Sequence, residues 1–148
     1  MTKEVGQGDT QQGREMAKYK ERIAKLLQQD KWFEACDVAE DAFAESMDYL
    51  GKSPDEMAET LRSEKIRGSK NDDERNPISV FLTVSLFFHT EISASKPYAR
   101  LLMTHGRKFI YVAPTMPRAA NDFLTRFNNG EFPDLEEKET SCDDSLPN

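Results

Sequence analysis

The side chains of this sequence best suited to chemistry are His89 and Glu91, in the tripeptide His-Thr-Glu. At this spacing both side chains lie on one face of a β-strand, where an imidazole and a carboxylate can relay a proton or bind a metal ion. The second histidine, His105, could face His89 across a sheet. The alternative is that His89 lies at the solvent end of a strand and His105 in a turn. We favour that alternative, because an isolated pair of this kind seldom forms a functional site.

The motifs of the common enzyme classes are missing from the sequence. Zinc deaminases join a His-x-Glu pair to a downstream Cys-x-x-Cys, whereas Cys36 and Cys142 of this chain lie far apart. There is no Gly-x-Ser-x-Gly elbow, no Gly-x-Gly-x-x-Gly and no P-loop. Two cysteines are too few for a disulfide framework, and we expect free thiols. The sequence therefore predicts a protein that is not an enzyme and that uses no metal or cofactor.

A second group of side chains combines positive charge with aromatic rings. Residues 61–127 carry a net charge of +5, whereas residues 1–60 and 128–148 each carry −6. Cations beside rings on a sheet hold single-stranded nucleic acid, by phosphate pairing and base stacking. The alternative is that Phe109 and Tyr111 are core residues and that the cations are spread over loops and two elements. The candidate contacts with nucleic acid or with a protein partner are Lys96, Tyr98, Arg100, His105, Arg107, Lys108, Arg118 and Arg126.

The most apolar stretch, residues 78–92, carries His89 and Glu91, and we expect the other elements to pack on it. Its even-numbered residues are apolar except Thr90, and its odd-numbered residues are mostly polar, which is the alternation of a half-buried strand. Its β-branched and aromatic content agrees. We therefore predict one long strand over residues 78–92. The alternative is a helix with Asn76 as its N-cap and Pro77 at its first position.

Two helices are predicted near the N-terminus, over residues 14–29 and 31–50, from apolar side chains spaced by three and four. Asp30 is the predicted N-cap of the second helix. The sequence AKLLQQDKWFEACDVAEDAF, with Trp32 and small alanines at packing positions, resembles one tetratricopeptide helical hairpin. Asp30 stands where that family usually has glycine, and the sequence has no second copy. The resemblance therefore implies only an antiparallel pair of helices, because a solenoid needs at least about three repeats.

A third helix is predicted from Ser53-Pro54-Asp55-Glu56 to about residue 67, with Gly68 ending it. Ser53 fits the N-cap, and Glu56 fits the reciprocal position of a capping box. Beyond the apolar stretch, residues 98–104 and 108–113 predict a β-hairpin with Gly106 in its turn. The alternative for residues 97–104 is a short helix. A last helix is predicted over residues 117–127.

These elements predict an α+β fold in one domain over residues 14–133. In it the helical half, 14–67, packs on a small antiparallel sheet of about three strands, and a C-terminal helix completes the half 77–133. Residues 1–13 lack periodicity and predict a disordered arm, and the acidic residues 134–148 predict a disordered tail. A chain of 148 residues is the length of one typical domain.

The net charge of −7 and the missing catalytic motifs favour a small acidic protein that binds another protein, as an inhibitor, adaptor or immunity-type regulator. The alternative is binding of single-stranded nucleic acid through residues 96–126. The acidic end, residues 143–148, resembles the acidic tip of single-stranded-DNA-binding proteins, without their terminal aromatic residue. The polar N-terminus predicts no signal peptide, and the apolar runs are about half of the roughly 20 residues that a membrane helix needs. We therefore expect a cytoplasmic protein that does not enter a membrane.

Overall fold

A computed structural model of the chain describes residues 11–86 and 88–137. The fold is α+β, as predicted, and combines helices with one small antiparallel sheet. In these residues the elements are, in chain order, α1 (Gln11–Gln28), α2 (Trp32–Leu50), α3 (Pro54–Ser63), α4 (Pro77–Leu86), β1 (His89–Glu91), β2 (Arg100–His105), β3 (Lys108–Val112), α5 (Arg118–Asn128) and a 3₁₀ turn (Pro133–Leu135).

Helices α1 and α2 form the predicted antiparallel hairpin. The Tyr19 hydroxyl donates to Glu45 Oε1 at 2.6 Å, and the Ser46 hydroxyl donates to Met16 Sδ at 3.2 Å. Helix α1 begins at Gln11, so residues 11–13 are helical rather than part of a disordered arm. The rest of that predicted arm, residues 1–10, lies outside the described residues.

Asp30 does not cap α2 as predicted. Its φ of 62° is left-handed, a conformation that glycine adopts without steric cost and that aspartate also visits. The residue before α2 is Lys31, which makes no side-chain capping bond. The Asp30 carboxylate instead accepts from Trp32 Nε1 at 2.9 Å and pairs with Lys108 Nζ at 3.1 Å. It thereby ties the loop between the two helices to the tip of the β-hairpin.

Helix α3 begins where the sequence predicts and ends earlier. The Ser53 hydroxyl accepts from the backbone N–H of Glu56 at 3.2 Å, while the Glu56 carboxylate accepts from the N–H of Lys52 at 2.7 Å. The predicted end near residue 67 is wrong, because the helix stops at Ser63 and residue 65 turns left-handed, with φ 60°.

Gly68 pairs with the C-terminal segment rather than ending α3. Its N–H donates to the Leu135 carbonyl at 2.9 Å, and its carbonyl accepts from the Glu137 N–H at 2.9 Å. A Cβ placed on this residue would lie 2.5 Å from the Arg75 carbonyl oxygen and 2.5 Å from Pro77 N. Only glycine allows these backbones to approach so closely.

The predicted long strand over residues 78–92 is wrong. Most of it forms α4, and only His89–Glu91 is strand. Asn76 caps the helix: its Oδ1 accepts from the N–H of Ser79 at 2.9 Å, and its Nδ2 donates to the Ile92 carbonyl at 2.8 Å. The Asn76-Pro77 signal, on which the alternative prediction of a helix was based, therefore marks the actual start of α4.

The apolar residues of this stretch alternate, but those that are buried in the structure follow a helical spacing. Ile78, Phe81, Leu82 and Leu86 are buried, at spacings of three and four, whereas even-numbered Val84 is 59% exposed. Helix α4 contacts α1, α2 and β1. Because it is enclosed from several sides, it is apolar around most of its surface, and such a helix shows little of the one-sided periodicity of surface helices.

The sheet has the order β1-β2-β3, with antiparallel neighbours. The predicted hairpin is confirmed. Gly106, with φ 64°, takes the first central position of a two-residue turn, where type II′ geometry requires positive φ. Side chains on the inner face of the sheet, including Thr90, Leu101, Met103 and Val112, are buried.

The C-terminal helix and the residues after it close the core. Phe132 stacks on Phe123 of α5, with 5.1 Å between ring centroids. Leu135 is 1% exposed, and Asp134 pairs with Arg62. Residues 134–137 therefore belong to the fold, and the predicted disordered tail is wrong for them; residues 138–148 lie outside the described part.

Buried side chains from all the named helices and from the hairpin belong to one apolar cluster. Within residues 11–86 and 88–137, no helix combines the length and the apolar character that crossing a bilayer requires.

Candidate functional site

The outer face of the sheet, which points away from the buried residues of β2 and β3, carries exposed rings. Tyr98, Phe109 and Tyr111 are 42%, 65% and 43% exposed. The ring of Phe109 meets that of Tyr111 edge to face, with 6.2 Å between centroids, and the Arg100 guanidinium lies 4.0 Å above the Tyr111 ring. We call Tyr98, Arg100, Phe109 and Tyr111 the aromatic patch.

Strand alternation places the aromatic patch on one face. The register pairs Leu102 with Tyr111 and Thr104 with Phe109. An isolated bridge pairs Tyr98 with Thr115, so the same register continues beyond both named strands. The residues that alternate with the aromatic patch along the strands point into the core. Once the turn at Gly106 is identified, the sequence therefore predicts which side chains of the hairpin share the outer face.

The free edge of β3 adds backbone groups to the aromatic patch. A two-residue turn closes on a hydrogen-bonded pair, and such pairs alternate along the strands. The pairs His105–Lys108 and Met103–Ile110 therefore bond inward, and the N–H and C=O groups of Phe109 and Tyr111 point away from β2. In the part of the chain that the structure describes, β3 has no strand on that side.

Three of the predicted cations are held by carboxylates. Arg100 Nη1 lies 3.0 Å from Glu91 Oε1, and Lys108 Nζ lies 3.1 Å from Asp30 Oδ1. The hydrogen bond from Lys108 is the largest contribution to the lowered pKa of the Asp30 carboxyl. Arg126 pairs with Glu131 and with Asp55, at 2.8 and 3.3 Å, away from the aromatic patch.

The other predicted contacts are scattered. His105 and Arg107 lie at the exposed tip of the hairpin, and Lys96 lies in the loop before β2. For Lys96, Arg107 and Arg118, no carboxylate of the described residues lies within ion-pair distance. Arg118 lines a cleft of about 660 Å³ between α2 and residues 113–119. The structure therefore brings together Tyr98 and Arg100 with Phe109 and Tyr111, and it separates Arg118 and Arg126 from them.

A cluster of metal-ligating side chains lies beside the aromatic patch. His89 Nε2 is 3.7 Å from Glu74 Oε1 and 3.6 Å from Glu91 Oε2. Glu91 also accepts from Arg100, so the cluster adjoins the patch. Sequence analysis identified His89 and Glu91 as a possible metal-binding pair and missed Glu74. Nothing in the sequence of a charged loop shows which of its carboxylates will lie beside β1 in the folded chain. His105 does not face His89, because the register pairs His89 with Leu102.

Cys36 does not add a nucleophile. It is a free, half-buried cysteine on α2. Burial, with Glu40 and Asp37 nearby, raises the pKa of its thiol, which disfavours the reactive thiolate.

Comparisons with protein-family models, curated proteins and solved structures gave no match for this chain.

Proposed function

We propose that this protein acts by binding another protein, which adds an extended segment to the free edge of β3. The observation that carries the proposal is the coincidence of two features at Phe109 and Tyr111. Both side chains are exposed, and both residues direct their backbone groups away from β2. In strand addition, main-chain hydrogen bonds give affinity and alternate side chains give specificity.

The composition of the aromatic patch supports a protein partner. Tyrosine, phenylalanine and arginine are enriched in the buried centres of protein interfaces, and tyrosine and arginine are frequent hot spots. Trp32, which is half-buried, and Phe109, which is exposed, line a shallow depression next to the pair Asp30–Lys108. A partner side chain in that depression would extend the buried surface beyond the strand.

The charges around the patch indicate the kind of segment that fits. Arg100 is already paired with Glu91, whereas Lys96 and Arg107 flank the hairpin without a carboxylate from the described residues within ion-pair distance. The partner segment then alternates apolar side chains over the rings with an acidic residue near one of these cations. A chain with this role is a non-enzymatic inhibitor, adaptor or immunity-type regulator in the cytoplasm.

Single-stranded nucleic acid is the second candidate, favoured by the same exposed rings. Stacking on Phe109 and Tyr111 would be sequence-tolerant. However, phosphate binding depends on available cations, and Arg100, Lys108 and Arg126 are each held by a carboxylate. Protein binding is therefore the stronger proposal.

The test is a capture experiment with the whole chain immobilised and exposed to a lysate of the source cells, with and without nuclease. We expect a captured protein that survives nuclease treatment and is lost when Phe109→Thr and Tyr111→Thr are combined. Threonine preserves strand propensity while removing the rings. Phe33→Ala is the matched control, because Phe33 is 86% exposed on α2 and lies outside the patch.

Amide hydrogen exchange then identifies the binding mode. Strand addition slows exchange at the N–H groups of Phe109 and Tyr111, since these groups gain hydrogen bonds from the partner. Capture that is equal for wild type and the double threonine variant would contradict the proposal. Loss of capture with nuclease would replace it with the nucleic-acid alternative.

A further inference from the structure

We infer that Glu74, His89 and Glu91, called here the Glu-His-Glu cluster, form a binding site for one divalent transition-metal ion of the zinc class. Their candidate ligand atoms all lie within 4.8 Å of one another. One imidazole and two carboxylates are ligands that zinc accepts, and three protein ligands leave the fourth position of a tetrahedral site open for water. The inference is independent of the proposed protein partner.

The distances in the cluster suit a bridging ion better than direct hydrogen bonds. His89 Nε2 lies 3.7 Å from Glu74 Oε1 and 3.6 Å from Glu91 Oε2, which is long for a hydrogen bond. Ligand atoms bound to zinc at about 2.0–2.1 Å in a tetrahedron are roughly 3.3 Å apart. The two pairs with His89 would need to contract by a few tenths of an ångström to reach this spacing. The Glu74 and Glu91 ligand atoms, which lie within 4.8 Å of each other, would need to approach by up to about 1.5 Å.

The backbone around Glu74 is fixed beside β1, so the cluster is largely preformed. The Asp72 carboxylate accepts from the N–H of Glu74 at 3.0 Å. The Asp73 carbonyl accepts from the N–H of Ile92 at 2.9 Å, and the Asn76 amide donates to the Ile92 carbonyl. These bonds hold both ends of residues 72–76 against the chain that carries His89 and Glu91.

Arg100 orients the third ligand. Its Nη1 donates to Glu91 Oε1 at 3.0 Å, which leaves Oε2 facing His89. Hydrogen bonds from outside the ligand shell commonly fix the ligands of metal sites in this way. Arg100 also offsets part of the repulsion between the two carboxylates, and a divalent cation would offset the rest.

Imidazole in the ligand set distinguishes this cluster from a site for magnesium or calcium. Mg²⁺ and Ca²⁺ prefer oxygen ligands, whereas imidazole suits zinc, nickel and copper.

The experiment is calorimetric titration of the full chain with Zn²⁺, and separately with Mg²⁺. We expect one Zn²⁺ per chain, and binding at least about tenfold weaker in His89→Ala and in Glu74→Gln, since each removes a ligand. His105→Ala is the matched control, because the sequence has only two histidines and His105 lies outside the cluster. NMR should show the ring signals of His89, and not those of His105, shifting with Zn²⁺.

Three results would each overturn the inference: no saturable Zn²⁺ binding by the full chain, wild-type affinity in both His89→Ala and Glu74→Gln, or equally tight binding of Mg²⁺. Circular dichroism of each variant establishes that it is folded, and the exposed side chains of His89 and Glu74 make both substitutions tolerable.

Discussion

Asn76 is the residue on which the local structure most depends. It is 3% exposed, and its side chain uses both ends: the oxygen caps α4, and the amide donates to the carbonyls of Ile92 and Asp72. It therefore joins the start of α4, the end of β1 and the loop that carries Glu74.

Replacing Asn76 should be costly for this reason. Asn76→Ala loses the cap and leaves buried carbonyls unpaired, so we expect the free energy of unfolding to fall by about 2–4 kcal/mol. Asn76→Ser retains a capping oxygen and should lose less. Urea denaturation measures both, with Asn129→Ala at the exposed end of α5 as the control. A loss below that of the control would show that the Asn76 network contributes little.

At the scale of single residues, the contacts of a side chain could be predicted only when its partner lies nearby in the sequence. Ser53 and Glu56 are three residues apart, and the Ser53 cap was predictable, whereas the Glu56 carboxylate accepts from the N–H of Lys52 and not from that of Ser53. Lys108 was predicted as a candidate nucleic-acid or protein contact, but its carboxylate partner Asp30 is 78 residues away. Glu74 was missed for the same reason, because only the folded chain brings it to His89.

At the scale of elements, the hairpin was predictable and α4 was not. In the hairpin, Gly106 and the alternation on both sides of it favour the same structure. In residues 78–92, alternation favoured a strand while the Asn76-Pro77 signal favoured a helix. The helix formed with its Asn76 cap in place and with Ile78, Phe81, Leu82 and Leu86 buried, and the contacts with α1, α2 and β1 that bury them are not visible in the local sequence.

The orientation of the free edge of β3 can be tested by comparing the effects of proline at two neighbouring residues on the stability of the fold. Tyr111→Pro removes an N–H that points away from β2, and proline is tolerated at such edge positions. Ile110→Pro removes an N–H that bonds to Met103 and leaves that carbonyl unpaired, so it should destabilise the fold by about 1–3 kcal/mol. Thermal unfolding followed by circular dichroism measures the difference. Equal destabilisation by both substitutions would contradict the orientation of β3 on which strand addition depends.

At the scale of the whole molecule, the charge blocks of the sequence bind one another. The basic middle is linked to both acidic ends, so much of its charge is already compensated within the fold. This pairing weakens the case for a nucleic-acid surface that the uncompensated sequence suggested. The pairs that join blocks include Asp30–Lys108, Asp55–Arg126, Arg62–Asp134, Lys70–Glu136 and Arg75–Glu137.

The last of these links place the C-terminal segment within the fold and lead to a truncation prediction. Deleting residues 133–148 removes Leu135 from the core together with the backbone pairing to Gly68. We expect this deletion to cost at least about 2 kcal/mol of unfolding free energy, as for loss of one buried leucine. Deleting residues 138–148 alone leaves all of these contacts intact and should leave the urea midpoint nearly unchanged. If the shorter deletion destabilised the protein as much as the longer one, the stabilising contacts of the C-terminus would lie beyond Glu137, and the acidic end would have a structural role in the folded chain.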